Sequence, residues 1–131
     1  MSAIRILGTG SYLPEKILAN ADFEAMGLET SNEWIVDRTG IRERRVAEPG
    51  STASDLALEA SRRALDMAGL SVKDLDMIIL ATITPDTCCP SGANWLQAKL
   101  DAPQAVSFDV TAACSGFIFG LNVAEQFLKN R

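Results

Sequence analysis

Apolar runs, helical spacings and turn residues follow one another along this chain in a regular order. Residues 77–83 are continuously apolar between Asp76 and Pro85, which predicts a strand covered on both faces and paired in a parallel sheet. Residues 105–110 form a second β-rich run, and residues 4–7 read as a short strand ended by Gly8-Thr9-Gly10-Ser11. Between these, Thr52 with Asp55 three positions later opens a helix in capping-box style. Ala53, Leu56, Ala57, Ala60, Ala64, Met67 and Ala68 then recur at helical spacing, with Glu59, Arg62, Arg63 and Asp66 outward, until Gly69 stops the run. A further helix capped by Ser91 runs through Trp95, Leu96 and Leu100. Shorter helices are expected over 20–26, with Asn20 as cap, and over 31–36, capped by Thr30 or Ser31; residues 41–46 read as extended until Glu48-Pro49-Gly50-Ser51 breaks them.

The final helix, from about 115 to 129, carries Phe117, Leu121, Ala124 and Leu128 on one face. Ile118, Val123 and Phe127 lie elsewhere around it, so it is apolar nearly all round and predicted to be buried in a larger molecule. Gly116 and Gly120, one turn apart, leave room for another backbone to come close, which again predicts a further packing element. The β-α alternation gives an α/β layered fold, βαβαβα in outline, with parallel pairing. No internal repeat or low-complexity linker interrupts it.

Composition changes this picture only by exclusion. The chain has 131 residues, 47% hydrophobic and 22% charged, which is ordinary for a soluble domain with a core. Its net charge of −5, from 12 basic and 17 acidic residues scattered along the sequence, argues against nucleic acid or an anionic membrane as the main partner. Arg38, Arg42, Arg44 and Arg45 form the most basic patch, expected as a solvated turn and strand with one or two members free to meet a phosphate. Three cysteines, two of them adjacent, make no disulfide framework, and a zinc site would lack ligands, so no metal is expected and a reducing cytosol fits. Neither an export signal nor a run of 18 apolar residues is found, so a cytoplasmic location is expected.

Candidate chemistry centres on Cys114. The strand over 105–110 hands over through small residues to a helical pattern at or just after this thiol, so Cys114 sits on a strand-to-helix turn. Helix N-termini favour thiolate, the form that attacks carbonyl carbon. The dipole contributes at most about 2 kcal/mol, so a base or another charge must complete the activation. A small buried hydrophobe is the other reading of such a cysteine. Gly8-Thr9-Gly10 is not a dinucleotide loop, because Leu13 stands where the third glycine belongs, and a tight turn is expected. Trp34 with Arg38 one turn onward admits two readings, a packed indole beneath a solvated arginine or a stacking face with a phosphate clamp. Cys88 and Cys89 read as packing or loop residues.

Three stretches carry a resemblance. DVTAACSGF at 109–117, GTGSYLP at 8–14 and EWIVDRTGIRERR at 33–45 closely resemble the β-ketoacyl-acyl-carrier-protein synthase III family of thiolase-fold condensing enzymes. The resemblance runs the length of this chain but covers less than half of such an enzyme, whose catalytic His and Asn lie in its C-terminal half; this chain has no histidine. The resemblance implies a thiolase-like layered fold with residues 1–131 as an incomplete N-terminal half-domain, the C-terminal half being absent. It implies that Cys114 takes an acyl group from acyl-CoA, its own backbone N–H forming part of the oxyanion hole. The absent His and Asn would then promote decarboxylation of malonyl-acyl carrier protein, whose carbanion attacks the thioester.

By the same resemblance Trp34 stacks on the adenine of CoA, Arg38 approaches its phosphates, and Thr30 belongs to that site. The family usually reads Thr-Ser-Asp-Glu-Trp where this chain has Thr30-Ser31-Asn32-Glu33-Trp34. The family also usually places a Phe at Cys89, reaching across a dimer interface to bound the acyl pocket, so the smaller side chain implies a roomier pocket. Acyl-CoA and malonyl-acyl carrier protein are the implied partners, with a homodimer in the full-length form and no cofactor. This chain alone is expected to be inactive in condensation. The competing readings are a polyketide-starting or hydroxymethylglutaryl-CoA synthase-like enzyme that shares the cysteine, and a catalytically silent structural fragment or interaction module.

Overall fold

The computed structural model describes residues 4–130, which divide into two compact units, Leu13–Ser51 and the segments 4–12 with 52–130. The elements in order are β1 (Ile17–Ala19), α1 (Asn20–Ala25), α2 (Asn32–Thr39), β2 (Glu43–Arg45), α3 (Ala53–Ala68), β3 (Met77–Ala81), α4 (Gly92–Leu100), β4 (Val106–Val110) and α5 (Gly116–Lys129). Short 3-10 turns at Val72–Asp74 and Ala113–Ser115 complete them.

In the larger unit β3 and β4 pair in parallel, with Met77 opposite Val106 and Ala81 opposite Val110. Side chains on a strand alternate between faces, and each face here has its own cover. Ile78 and Leu80 meet Ala93, Leu96 and Leu100 of α4, with Ala57 and Leu58 of α3 packed behind. Met77, Ile79 and Ala81 face α5, and Phe108 of β4 meets Phe127 with ring centroids 6.1 Å apart. The continuous apolar run of β3 is therefore explained: an α/β/α layering covers both its faces.

A row of polar contacts holds α4 onto β4. Asn94 Nδ2 donates to Ser107 Oγ at 2.7 Å, and that hydroxyl donates to Gln97 Oε1 at 2.6 Å. Gln97 Nε2 donates in turn to the Ala105 carbonyl at 2.7 Å. The strand-opening N–H of Val106 is satisfied by the Asp76 carbonyl at 2.9 Å. Because Ser107 lies on the inward face of the strand, its hydroxyl must be paired to be tolerated there, and the helix supplies the partners.

α3 starts as its capping box predicts, Thr52 and Asp55 satisfying each other's backbone N–H, and ends at Gly69 with φ +65°. Its apolar spacing overstates its burial, since Met67 is 69% exposed. The segment before it departs from expectation. Residues 4–7 form no strand, because a strand needs a neighbour to accept its ladder and none pairs with them among the described residues. The glycines that follow make no tight turn either. A Cβ at Gly8 would stand 2.4 Å from the Ala64 carbonyl oxygen, and one at Gly10 would stand 2.1 Å from that of Ala60. Glycine is needed at both positions for close approach to the alanine row of α3, not for backbone freedom.

α5 covers the sheet through its glycines. A Cβ at Gly116 would come within 3.2 Å of Ala81 Cβ, and one at Gly120 within 3.8 Å of Ile79 Cγ2. The close approach expected of an additional element is thus made by β3 of this same chain. The helix was expected to be buried in a larger molecule, and within this chain Phe117, Ile118 and Phe119 are left 69%, 64% and 53% exposed. With the sheet on one side only, spacing that surrounds the helix cannot be matched by cover.

In the smaller unit β1 and β2 pair antiparallel, Leu18 opposite Arg44. The strand β1 was not foreseen, being three residues long and leading directly into a helix. Asn20 was expected to cap that helix but is its first residue, with Ala19 at the cap donating its N–H to Asp22 Oδ2 at 2.6 Å. The Asn20 side chain turns inward instead and is 1% exposed. Its amide donates to the Ile41 carbonyl at 2.7 Å and to Asn32 Oδ1 at 3.1 Å, while its oxygen accepts from Arg44 at 2.7 Å. Both N–H donors and one of the two oxygen lone pairs are thereby filled, which offsets the cost of burying the amide.

Two glycine substitutions test the packing account in opposite directions. Gly10→Ala drives a methyl into the Ala60 carbonyl oxygen, 2.1 Å away, and destabilises the larger unit by about 1–3 kcal/mol. Gly120→Ala meets Ile79 at an ordinary 3.8 Å and gains helix propensity of about 1 kcal/mol. Urea midpoints of the two variants should fall on either side of the parent chain.

Candidate active site

Cys114 lies where β4 gives way to α5. The last rung of the ladder is Thr82 N–H to the Val110 carbonyl at 3.3 Å, after which the chain leaves the sheet. Ala113 takes φ +44°, a left-handed conformation that costs a residue with a Cβ about 1–2 kcal/mol. Ser115 N–H then closes the 3-10 turn on the Ala112 carbonyl at 3.0 Å, and α5 begins at Gly116 against Ala81. Cys114 is a free thiol, exposed, two positions before a helix of 14 residues. Within this chain its exposure is not that of a small buried hydrophobe. A sulfur so placed is open to a carbonyl carbon and close to the end of the helix that favours negative charge.

Just upstream, the Asp109 carboxylate closes the N-terminus of α4. Oδ2 accepts from Gly92 N–H at 2.9 Å and Oδ1 from Ala93 N–H at 2.7 Å. Both donors are buried, Ala93 completely. Carboxylate bonds to helix-terminal N–H groups are charge-assisted, and here they tie the strand that ends at the thiol to the helix packed on it.

The loop after β3 leaves the same edge of the sheet, since β3 and β4 run parallel and both loops follow strand carboxyl ends. It carries Cys88 and Cys89, both free and exposed, so they are loop residues and pack in no core. The Cys89–Pro90 peptide is cis. Asp86 fixes one side of these cysteines: it accepts from Ser54 N–H at 2.9 Å, receives a short bond from the Ser54 hydroxyl, and lies 3.7 Å from Lys99 Nζ. Thr87 fixes the loop again, accepting from Trp95 Nε1 at 2.8 Å and donating to the Pro90 carbonyl at 2.6 Å. Lys99 Nζ also reaches Asp55 and Ser54 at 2.6 Å each. Burial works against ionisation of Asp86, but hydrogen bonds from Ser54 and Thr52 and the charge of Lys99 outweigh it and hold the carboxyl below its usual range. The Lys99 hydrogen bond and those of Thr52 bring Asp55 down to about 2.

In the unit Leu13–Ser51, the sequence pair Trp34 and Arg38 does come together. Ser31 Oγ accepts from Trp34 N–H at 3.1 Å and starts α2, and the Arg38 guanidinium carbon lies 4.4 Å from the centroid of the Trp34 ring. The indole is 53% exposed, so it does not pack under the domain. Asn32 leaves the cap to Ser31 and turns its side chain to Asn20. The Thr30 hydroxyl oxygen is shielded and has no hydrogen-bond partner. Within the basic patch Arg44 is committed to the Leu18 carbonyl, Asn20 and the Phe23 ring, and Arg45 to the Pro14 and Glu15 carbonyls. Arg38 and Arg42 stay exposed, in agreement with one or two members available to an anion. Ser54, Asp86, Lys99 and Asp109 were not singled out from the sequence; the only signal was a charged residue, Asp109, inside a β-rich run.

Among the described residues no three His, Cys, Asp or Glu side chains are placed to hold a metal ion, and no helix is long and apolar enough to cross a membrane.

The layering, the parallel pair and the thiol at the strand-to-helix turn define a thiolase-like α/β fold, equivalent to an incomplete first half. No family model matches the chain. Its relatives are nevertheless specific: it is homologous to β-ketoacyl-[acyl-carrier-protein] synthase III. The curated synthase of Caldanaerobacter subterraneus subsp. tengcongensis is 59% identical over 127 residues, 97% of this chain and 38% of that protein. The crystal structure of 3-oxoacyl-[acyl-carrier-protein] synthase III from Aquifex aeolicus superposes with a TM-score of 0.91 at 48% identity, covering 96% of this chain and 40% of that one. A priming β-ketosynthase of the R1128 polyketide pathway has a TM-score of 0.86 at 38% identity, over 92% of this chain and 36% of that one. The chain spans about two-fifths of the length of the curated relatives it matches.

The carboxylate network sets an acid limit with a definite sign. Asp55 and Asp86 have folded-state values below the ordinary 3.8, so their stabilisation is complete above that pH and is lost as pH falls through the folded values, about 2 for Asp55. Urea midpoints should drop between pH 4 and pH 2, and the deficit of a Lys99→Met variant relative to the parent should shrink over the same interval as both carboxyls protonate.

Proposed function

We propose that this chain carries the acyl-accepting part of a β-ketoacyl-acyl-carrier-protein synthase III, with Cys114 as nucleophile. The observation that carries the reading is the exposed thiol at the β4-to-α5 turn within a chain 59% identical to such a synthase. In the first half-reaction the Cys114 sulfur attacks the thioester carbonyl of an acyl-CoA. Backbone N–H groups at the turn, that of Cys114 among them, receive the developing oxyanion, and the CoA thiolate leaves with a proton as acyl-Cys114 forms. In the second, malonyl-acyl carrier protein loses carbon dioxide and its carbanion attacks acyl-Cys114, releasing the β-ketoacyl product and restoring the thiol. That second step calls on the family's His and Asn. With no histidine in these 131 residues, condensation by this chain alone is negligible.

Trp34, Arg38 and Thr30 form the CoA site in this reading. One face of the half-exposed indole lies under Arg38, which leaves the other face for adenine and the guanidinium edge for a phosphate. Thr30 completes the site beside them, its hydroxyl shielded and unpartnered, so that it meets CoA only once the side chain turns outward. Cys89, small and on a pinned loop, enlarges the acyl pocket relative to a phenylalanine, in a homodimeric full-length enzyme of the cytoplasm that uses no metal or other cofactor. A polyketide-priming role is the second reading, favoured by the likeness to the R1128 ketosynthase; the chain length of the preferred primer separates the two.

Incubation with radiolabelled acetyl-CoA should leave one protein-bound acetyl group, retained in Cys88→Ala and Cys89→Ala and lost in Cys114→Ala. A chain folded by circular dichroism that takes no label overturns the assignment of Cys114 and favours a silent fragment. Trp34→Ala should weaken CoA binding by about 1–3 kcal/mol, the worth of one base stacked on an aromatic ring, as measured by titration calorimetry.

A further inference from the structure

We infer that Asp109 is the positioning residue of Cys114, holding the reactive turn in register through α4 without touching substrate; the inference rests on Cys114 being the acyl acceptor. The turn is suspended between two fixed points. Behind it, Asp109 is bound at 2.7 and 2.9 Å to the buried N–H groups of Ala93 and Gly92, and Val110 gives the sheet its final rung. Ahead of it, Gly116 lies close on Ala81, where an added Cβ would stand a tight 3.2 Å from Ala81 Cβ. Between these points the backbone passes through the unfavourable φ of Ala113, a conformation that persists only when its surroundings impose it. Opening the anchor at Asp109 frees the strand end, lets Ala113 relax to negative φ, and rotates the N–H groups and sulfur that must meet one carbonyl together.

The α4 end of this anchor is itself built to stay in place. A Cβ at Gly92 would lie 2.8 Å from Leu80 Cδ2 and 3.2 Å from Pro85 Cβ, so a larger residue there makes the Leu80 tip or the helix terminus give way. Ser91 and Asn94 satisfy their own cap separately, which leaves the Gly92 and Ala93 donors to Asp109. The aspartate is therefore not a redundant cap on α4 but a link from that helix to the strand that delivers the thiol.

Three variants test this: Asp109→Ala, which removes the acceptor; Asp109→Asn, which keeps one acceptor oxygen without the charge; and Gly92→Ala, which crowds the donors and leaves the carboxylate. Acetylation of Cys114 by acetyl-CoA should fall about 100-fold in Asp109→Ala, the scale of a displacement near 1 Å, and by less in Asp109→Asn. Alkylation of Cys114 by iodoacetamide, which needs no oxyanion site, should change less than threefold. Amide hydrogen exchange in the peptide covering 111–117 should quicken at least tenfold in all three variants while exchange in α3 stays the same. Equal exchange in both segments, or unchanged acetylation and exchange in folded Asp109→Ala, overturns the inference. Loss of far-UV circular dichroism in all three also overturns it, by making Asp109 a support of the whole unit. If the parent chain accepts no acetyl group, the nucleophile reading fails, and the exchange ratio still decides whether Asp109 orders the turn.

Discussion

A carboxylate bound to the two leading N–H groups of a helix is the contact on which the larger unit depends. Asp109 sits on the face of β4 that looks at α4, where an unpaired charge would be costly, and the helix terminus supplies the compensating donors. Bonds of this kind to a charged group contribute about 1.5–3 kcal/mol, enough to matter in a unit whose core, among the described residues, holds six buried apolar side chains. The same contact settles which face of β4 is inward, and with it where Phe108 and the start of α5 must lie.

Elements with their punctuation in the sequence were legible. α3 and α4 have both cap and stop written beside them, and the β4-to-α5 turn is marked by small residues on either side of Cys114. Features set by distant partners were not. Residues 4–7 have strand composition but no neighbour to pair with, and Gly8 and Gly10 look identical in sequence whether they serve a bend or contact with Ala60 and Ala64. Asn20 has the composition of a cap and the environment of a buried hub, because Arg44 and Asn32 reach it from 24 and 12 positions away. The Ser54, Asp86 and Lys99 cluster joins residues 32 and 45 positions apart, a separation no local pattern spans.

The candidate site divides in the same way. The proposed nucleophile, Cys114, and the Trp34–Arg38 pair were visible as motifs, since each depends on neighbours within one turn of the chain. Its supports were not: the loop bearing Cys88 and Cys89 is held from α3 and α4, and the turn bearing Cys114 from α4 and β3. Motifs identify reacting groups because chemistry is local, whereas the scaffold that orders them is assembled from both sides of the sheet.

The parallel pairing of β3 and β4 also separates two kinds of mutational tolerance. At the edge where the strands begin, Asp76, Ala105 and their partners Val106 and Gln97 engage main chain, and change there is felt as lost cohesion. At the opposite edge the thiols stand exposed on segments whose geometry is held from beneath, so side chains at the rim can be exchanged with little disturbance to the layers below. A scaffold polarised in this manner can acquire new selectivity at one end while its folding instructions remain at the other.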